Sequence, residues 1–560
     1  MDPKLAYTIR HYSKEQFFKD VAAGVIVAII ALPLSIALAI ASGVSPEKGI
    51  YTAIVAGFLI SLLGGSRVQI GGPTAAFMVI VFGVVQTYGV SGLMVATLMA
   101  GVMLILFGLF KLGSVIKFIP YTITTGFTSG IAVAIFTSQI KDFLGLTTEE
   151  LPGEFLGKWQ VIIKNIKTVD LHTVIIGAVA LLIMILWPKL TKKIPGTLIA
   201  LIVTAALVKI FAIDVPTIGS KFGDLSSSLP SFIVPSITFQ QILNLVEPAF
   251  TIAFLGAVES LLSAVVSDGM IGSKHNSNTE LIAQGIGNIG SALFGGIPAT
   301  GAIARTVANI KNGGRTPVSG IVHSITLLLI LILFMPLAKM IPLSALAAVL
   351  ILVAYNMSEW REFVALFKSP KSDIAVLVVT FLITVFFDLV KAIEIGIVLA
   401  ALLFMKRMAD VSQVKVRFMD AGEIGRDEED GMAPEDGELP ATKIFKDVQI
   451  YEINGPFFFG AADKFMEASS EVGKKTKVLI VKMKHVPAMD ATALHAFTRL
   501  VKNCKKQKIQ LLVTGIQEQP LQVLEKAGVI ELIGADHIFT GLGDAVNYVQ
   551  EMNLAPASAT

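Results

Sequence analysis

The chain has 560 residues, of which 54% are hydrophobic and only 16% are charged, and its mean hydropathy is +0.74. Soluble proteins carry about 25% charged residues, so most of this chain is expected to face lipid or other membrane-buried segments. The net charge of +3 is too small to indicate nucleic-acid binding, and the single cysteine, Cys504, excludes an intrachain disulfide framework and a multi-cysteine metal site. A polar N-terminal segment followed by a long apolar run argues against a cleavable signal peptide.

Fourteen apolar segments follow along the chain, several of them short or interrupted. They lie near residues 21–43, 50–63, 74–88, 91–110, 114–137, 173–187, 195–212, 247–267, 279–294, 301–310, 318–338, 340–355, 373–387 and 390–405. This pattern predicts a polytopic α-helical membrane protein with 14 transmembrane segments. An even count places both termini on one side, and the excess of Lys and Arg in alternate loops predicts that this side is cytoplasmic.

Two breaks containing glycine and proline interrupt the apolar pattern at matching places in the two halves. The first is 71–74 (GGPT) and the second is 295–301 (GGIPATG). Seven spans per half give the halves opposite orientations, which predicts a 7+7 inverted repeat, and paired breaks in such repeats indicate a transport site. Helices that begin at mid-membrane near Thr74 and Ala302 would present unpaired N–H groups to an anion. The alternative is that both breaks are only capped loops.

Ionisable and polar residues lie near these breaks. Glu259 is in the middle of segment eight, where a carboxylate costs roughly 2.5–3.5 kcal/mol on insertion scales. It would be tolerated facing a cavity, beside a cation or protonated, or as a structural hydrogen-bonding group. Ser263 shares its helical face and could bind the same ion. Arg305 could raise the potential for anions, neutralise Glu259 or reach a cytoplasmic vestibule. Gln69 and Thr306 are weaker polar candidates, predicted to be helix-contact residues rather than ligands.

Several stretches resemble the SulP family of anion transporters, bacterial relatives of solute-carrier family 26. The sulfate-permease signature is matched by VSPEKGIYTAIVAGFLISLLGGSR, and the family pattern continues in GGPTAAF, VESLLSAVV and ARTVANIKNGGRTPVSG. The C-terminal region resembles the STAS domain of the family. Within the family, a similarity to bacterial C4-dicarboxylic acid transporters rests on LPLSIALAIASGVSP, GFTSGI, QIKDFLGL and VAYNMSE.

The resemblance implies a core domain of spans 1–4 and 8–11 that moves against a gate domain of spans 5–7 and 12–14. The predicted domains are a cytoplasmic N-terminal segment (1–20), the transmembrane transport domain (21–408), a linker with an acidic loop (409–441) and the STAS domain (442–555). The implied substrate shell lies between the starts of spans three and ten, beside span one, and comprises Leu34, Ser35, Leu38, Thr74, Ala75, Phe77, Gly301, Ala302, Ile303, Ala304 and Arg305. Leu34 and Ala304 replace polar side chains of some relatives, which favours binding by backbone N–H groups.

The implied coupling ion is a proton, carried by Glu259 with Ser263 beside it, rather than sodium. Sodium-driven relatives carry a threonine at the place of Ile303, so one oxygen ligand is missing here. The implied function is proton-coupled uptake of fumarate, succinate or aspartate by alternating access at the bacterial inner membrane. Sulfate or bicarbonate transport and an anion channel are the alternatives. The expected partners are the anion, the bilayer, a second copy in a homodimer and a cytoplasmic protein bound to the STAS domain; no cofactor and no enzyme activity are expected.

The C-terminal region from Thr442 onward has the pattern of a small α/β domain. Two short strands are predicted in FKDVQIYEINGPFFF, one in KVLIVKM and one in IQLLVTGI, with helices at 491–504, 520–527 and 544–552. Soluble relatives are phosphorylated at a serine whose place is taken here by Ala491, so that switch is expected to be absent, with Thr492 as the remaining acceptor. Asp490 is expected to cap the helix that begins after it.

Overall fold

The computed structural model describes residues 3–9, 12–114, 120–148, 151–191, 194–223, 227–235, 238–387, 389–411, 413–418, 447–470 and 476–554. It divides into two compact units, residues 1–400 and 401–560. Long apolar helices make up the first unit, and a β-sheet with flanking helices forms the second. The predicted acidic loop lies outside the described residues from position 419 onward.

The helices before the sheet follow the predicted apolar segments. They are α1 (Lys4–Ile9), α2 (Lys14–Ala41), α3 (Pro46–Leu63), α4 (Ala75–Leu109), α5 (Tyr121–Leu144), α6 (Phe155–Lys164), α7 (Leu171–Leu190), α8 (Gly196–Ile210), α9 (Ile218–Phe222), α10 (Phe239–Ile271), α11 (Ser277–Leu293), α12 (Ile303–Lys311), α13 (Val318–Ala338), α14 (Leu343–Met357), α15 (Trp360–Ala365), α16 (Lys371–Phe386) and α17 (Leu389–Val411). Two short strands, β1 (Gly71–Gly72) and β2 (Thr300–Gly301), lie among them. The fourteen predicted spans are confirmed as α2, α3, both parts of α4, α5, α7, α8, α10 to α14, α16 and α17.

Several of these helices differ in detail from the prediction, among them α5 and α10, which begin seven residues later and eight residues earlier than predicted. Spans three and four run into one another as α4, whose only non-helical residue is Gly89, with φ 69° and ψ −178°; glycine reaches this conformation without steric cost. The first span begins at Lys14 rather than at residue 21, because the Ser13 hydroxyl accepts a hydrogen bond from the Gln16 N–H (3.1 Å) and caps the helix there. The short amphipathic helix α6 was not predicted.

Helix packing separates the membrane helices into two groups. One contains α2, α3, α4, α10, α11, α12 and α13, and the other contains α5, α7, α8, α14 and α16. Glycines allow close contact in the first group: a Cβ at Gly101 of α4 would lie 2.7 Å from the Gly285 carbonyl oxygen of α11. Small residues at such crossings are the usual means by which membrane helices approach one another.

A buried carboxylate joins α2 to the turn after α12. Asp20 accepts hydrogen bonds from the Tyr12 hydroxyl (2.8 Å), Gln16 Nε2 (3.0 Å), the Arg315 N–H (2.8 Å) and the Thr316 hydroxyl (2.5 Å). Burial and the adjacent carboxylate raise the pKa of Tyr12 above its ordinary value. The C-terminal end of α12 is therefore tied to the N-terminal end of α2.

The second unit contains a five-stranded sheet. Its strands are β3 (Gln413–Phe418), β4 (Val448–Asn454), β5 (Val478–His485), β6 (Gln510–Thr514) and β7 (Ile538–Phe539), with helices α18 (Phe459–Ser470), α19 (Ala491–Gln507), α20 (Glu518–Lys526), α21 (Val529–Ile533) and α22 (Leu542–Leu554). The strand order is β3-β4-β5-β6-β7; β3 is antiparallel to β4 and the other neighbours are parallel.

Two predictions for this region are wrong. The stretch FKDVQIYEINGPFFF forms one strand, β4, and not two, because Phe457 turns into the core against the Phe465 ring and α18 begins at Phe459. The proposed linker 409–441 contains β3, whose alternating sequence QVKVRF pairs with residues 449–454 of β4. The predicted cap is confirmed: Asp490 Oδ1 accepts from the Ala493 N–H at 2.8 Å, and Oδ2 accepts from the Phe459 N–H at 3.1 Å.

Candidate anion-binding site

The two predicted breaks meet. β1 and β2 pair in antiparallel register, with Gly71 opposite Gly301 and Gly72 opposite Thr300. The Ala302 N–H also donates to the Ile70 carbonyl oxygen at 2.9 Å. Helices α4 and α12 therefore start beside this short ladder, and the breaks are one structure rather than two separate capped loops.

Both helix starts lack a side-chain cap. The residues before them, Thr74 and Ala302, are extended, and neither side chain accepts from the first turn. By contrast, Thr238 caps α10 and Asn276 caps α11. The Thr74 hydroxyl donates instead to Glu259 Oε2 at 3.0 Å. The Phe77 N–H of the first turn of α4 donates to the Thr74 carbonyl oxygen at 3.3 Å. The other first-turn N–H groups of the two helices have no side-chain cap and can bind a ligand, and such groups favour anions.

Arg305 extends from the first turn of α12 to the first break. It is only 1% exposed. Its Nη2 donates to the Pro73 carbonyl oxygen at 3.0 Å and approaches Ser35 Oγ at 3.5 Å. Its Nε and Nη1 have no hydrogen-bond partner in the part of the chain that the structure describes, and a Cβ at Gly72 would overlap Nη1. A buried guanidinium with free donors makes the neighbourhood of both helix starts electropositive.

Glu259 and Ser263 do not act as a pair in this structure. Glu259 is half-buried and bonds Thr74. Ser263 is buried and its hydroxyl lies 3.3 Å from Thr306 Oγ1, which itself accepts from the Ile70 N–H at 3.1 Å. Ser263 and Thr306 therefore hold α10, α12 and the first break together. Within the described residues no ion pair joins Glu259 to Arg305, so neutralisation of one by the other is not observed.

The other predicted shell residues divide by exposure. Ser35, Leu38, Ala75, Phe77, Gly301 and Ala302 are buried. Leu34 and Thr74 are half-buried, while Ile303 is 41% exposed and Ala304 is also exposed. The accessible face of the site is therefore formed by the first turn of α12, Leu34, Thr74 and Glu259. Apart from Thr74 and Glu259 its side chains are apolar, which leaves the contacts to an anion mainly to backbone N–H groups. The buried Arg305 guanidinium adds positive charge nearby.

An uncovered strip of α10 leads away from this site. Glu259 is followed on the same helical face by Leu262, Val266 and Met270, and the last three are all exposed. No helix of the described chain covers them. The strip connects Glu259 with the C-terminal end of α10.

A second buried carboxylate, which sequence analysis missed, supports the first break. Glu280 Oε2 accepts from the N–H groups of Gly65 and Ser66 at 2.9 Å each. Its Oε1 accepts from Gln69 Nε2 and Gln284 Nε2, also at 2.9 Å. Gln69 donates further to the Ser260 carbonyl oxygen at 3.2 Å, which confirms its predicted helix-contact role. The available signal was a carboxylate and an amide four residues apart in an apolar segment.

Comparison with known proteins decides the family. The model of the sulfate permease family matches residues 17–380, and that of the STAS domain matches residues 440–545. The chain belongs to the sulfate permease family. YvdB of Bacillus subtilis (strain 168), whose name carries a provisional assignment to sulfate transport, is 42% identical over 94% of this chain and 97% of its own length.

Two further family relatives extend the comparison. The bicarbonate transporter BicA of Picosynechococcus sp. is 30% identical over 92% of both chains. The murine Slc26a9 anion transporter has the same fold, with a TM-score of 0.86 at 19% identity over 98% of this chain and 94% of that one. Family membership establishes a multi-pass membrane anion transporter with a STAS domain. The expected preference for C4-dicarboxylates finds no support in these relatives, whose names point to sulfate and bicarbonate.

Proposed function

We propose that this protein is a secondary active transporter of an inorganic oxyanion, with sulfate as the first candidate and bicarbonate as the second. The proposal depends mainly on one observation, that two uncapped helix starts meet beside the buried Arg305 guanidinium. Helix-end N–H groups and a guanidinium together suit an oxyanion. The names of YvdB and BicA support this substrate class.

Transport would occur by alternating access at the bacterial inner membrane, with both termini cytoplasmic. The group formed by α2 to α4 and α10 to α13 would be the core domain, and the group with α5, α7, α8, α14 and α16 the gate domain, to which the family resemblance also assigns span 14 (α17). Their separate packing supports rocking of one group against the other. In this orientation the uncovered strip on α10 leads from Glu259 to the cytoplasm.

The Thr74 hydroxyl gives a physical route for coupling to protons. While Glu259 is ionised, its carboxylate accepts the hydroxyl proton of Thr74 at 3.0 Å. Once Glu259 is protonated, its own O–H can donate to Thr74 Oγ1, and the Thr74 proton can turn to the anion. Proton binding and anion binding then favour each other. The apolar Ile303 side chain offers no oxygen to a sodium ion, which supports a proton as the coupling ion.

C4-dicarboxylates remain the second substrate class. This alternative is supported by the similarity of LPLSIALAIASGVSP and QIKDFLGL to bacterial C4-dicarboxylic acid transporters. Helix-end N–H groups bind a carboxylate as readily as sulfate. Competition therefore has to separate the two classes.

Uptake into proteoliposomes tests the proposed function. We expect saturable uptake of labelled sulfate that increases with an acidic exterior, is inhibited by bicarbonate and shows counterflow. Protein-free liposomes are the control. Uptake of fumarate that excess sulfate does not inhibit would establish a dicarboxylate transporter instead. Flux that is linear in anion concentration and shows no counterflow would establish a channel.

We also infer that the STAS domain supports a homodimer and offers a docking surface to a cytoplasmic protein. Because β3 pairs with β4, a chain ending at residue 441 keeps one strand of the sheet without its neighbour and is expected to aggregate. A chain ending at Val411 removes the sheet cleanly and is expected to lose dimer mass in detergent by light scattering. Unchanged dimer mass in that shorter chain would refute the role of the domain in dimerisation.

A further inference from the structure

A buried lysine lies outside the site described above. Lys158 of α6 is only 4% exposed. Its Nζ lies 5.5 Å from the centroid of the Phe82 ring of α4, within the range of a cation–π contact. The described residues provide its ammonium group with neither a carboxylate nor a hydrogen-bond acceptor. Burial lowers the pKa of Lys158, in keeping with an ammonium group that lacks a counter-charge here.

The segment that carries Lys158 bridges the two helix groups. On one side the Phe155 ring contacts the Phe386 ring of α16, with centroids 5.3 Å apart. On the other side Gln86 Nε2 of α4 donates to the Leu151 carbonyl oxygen at 3.1 Å. Because α6 also packs on α5, we expect the segment to stay with the group that contains α16. A movement of one group against the other would then strain or break the contacts between this segment and α4.

In the proposed orientation, Phe82 lies between the start of α4 and the outer face of the membrane. It follows the α4 start at Ala75 by seven residues, which is about 10 Å along the helix axis. A Cβ at Gly43, just beyond the C-terminal end of α2, would lie 3.4 Å from its ring. Lys158 therefore contacts α4 at the level where α2 ends.

We propose that Lys158 is an outer capture site for oxyanions and that its contact with Phe82 closes the outer mouth of the transport path. This inference rests on the proposed function and orientation. When the core moves and the contact with Phe82 breaks, the ammonium group becomes more fully hydrated and attracts external anions toward the helix starts. An anion replaces the ring as the partner of the cation. When the anion has passed inward, Lys158 returns to Phe82.

The surroundings of Lys158 show why an ammonium group is not needed for packing. Leu146, Leu151 and Ile162 form an apolar cluster under α6. A methionine would supply the same stem and would avoid placing an unpaired charge in a buried position. Within the described residues the Phe82 ring is the partner of this charge, and a passing anion would offer it a second one.

The test compares Lys158→Met and Lys158→Arg with the wild type in proteoliposomes of defined orientation. The probe is whichever of sulfate, bicarbonate and fumarate the wild type transports best. For Lys158→Met we expect an external KM at least fivefold higher, with the internal KM and kcat within twofold of wild type. Lys158→Arg should restore the external KM. Lys164→Met, at an exposed lysine of the same helix, is the matched control and should behave as wild type.

An equal change of internal and external KM, or an unchanged external KM, would overturn the proposal. Phe82→Leu provides a second readout that leaves Lys158 in place. Because the ammonium group is no longer held by the ring, the external KM is expected to fall at least twofold; an unchanged value would refute the closing contact. If the wild type transports none of the three anions, the proposed function itself fails, and that result is distinct from the outcomes above.

Discussion

Replacing Glu259 with glutamine is expected to abolish uphill anion uptake driven by a proton gradient, while anion exchange at equal pH continues. Glutamine keeps a hydrogen-bonding partner for Thr74 but cannot carry a proton. With one proton per anion and no membrane potential, a gradient of one pH unit supports about tenfold accumulation. The variant is expected to reach a ratio of about one, measured as labelled anion inside and outside proteoliposomes.

Glu247→Gln is the matched control for this experiment. Glu247 lies on the same helix, is exposed and makes no contact with the anion-binding site that the structure describes. The control is expected to accumulate anion as the wild type does. If Glu259→Gln retained pH-driven accumulation, another residue would have to carry the proton, and the proposed role of Thr74 in coupling would be wrong.

Replacing Gly301 with alanine is expected to reduce transport at least a hundredfold without preventing membrane insertion. The new Cβ would overlap the Gln69 amide. Gln69 cannot move away easily, because it bonds Glu280 and Ser260. The ladder between β1 and β2 must shift instead, and a displacement of about 1 Å at a reacting or binding centre can cost about a hundredfold in rate.

Gly83→Ala is the control for the Gly301 variant. Gly83 lies on α4, and a Cβ there would meet no atom within 4 Å. Its transport rate is expected to stay within twofold of wild type. Initial rates of anion uptake, normalised to protein inserted in the vesicles, measure both variants. Normal transport in Gly301→Ala would show that the position of the ladder does not control the site.

The sequence predicted the parts of this fold that depend on local pattern. Apolar runs located the spans, and the Gly and Pro clusters located both breaks, because helix formation and its interruption are decided over short distances. The contacts that join the two breaks into one candidate binding site could not be predicted in the same way. Arg305 reaches Pro73, and Glu280 holds Gly65, across more than two hundred residues. Only the folded chain brings such groups together.

Local pattern also misled at two places. Three phenylalanines in a row favour a strand, but the buried position of Phe457 turned the chain and allowed α18 to begin. The strand β3 precedes an acidic stretch, and the composition of that stretch led to the prediction of a linker over the whole region. Thr74 illustrates a third kind of limit. Threonine before a helix normally caps it, and nothing local shows that its hydroxyl is directed to Glu259 instead.

The ladder between β1 and β2 has a consequence for how this architecture can change over evolutionary time. Its hydrogen bonds are formed by the backbone, so they do not depend on which side chains surround them. The two breaks, one from each repeat, are therefore held together as one rigid unit. If the proposed site is right, substitutions at accessible positions such as Leu34 and Ala304 would alter which anion fits, while the paired backbone keeps its shape. Anion selectivity and the movement of the core domain can therefore change independently of each other.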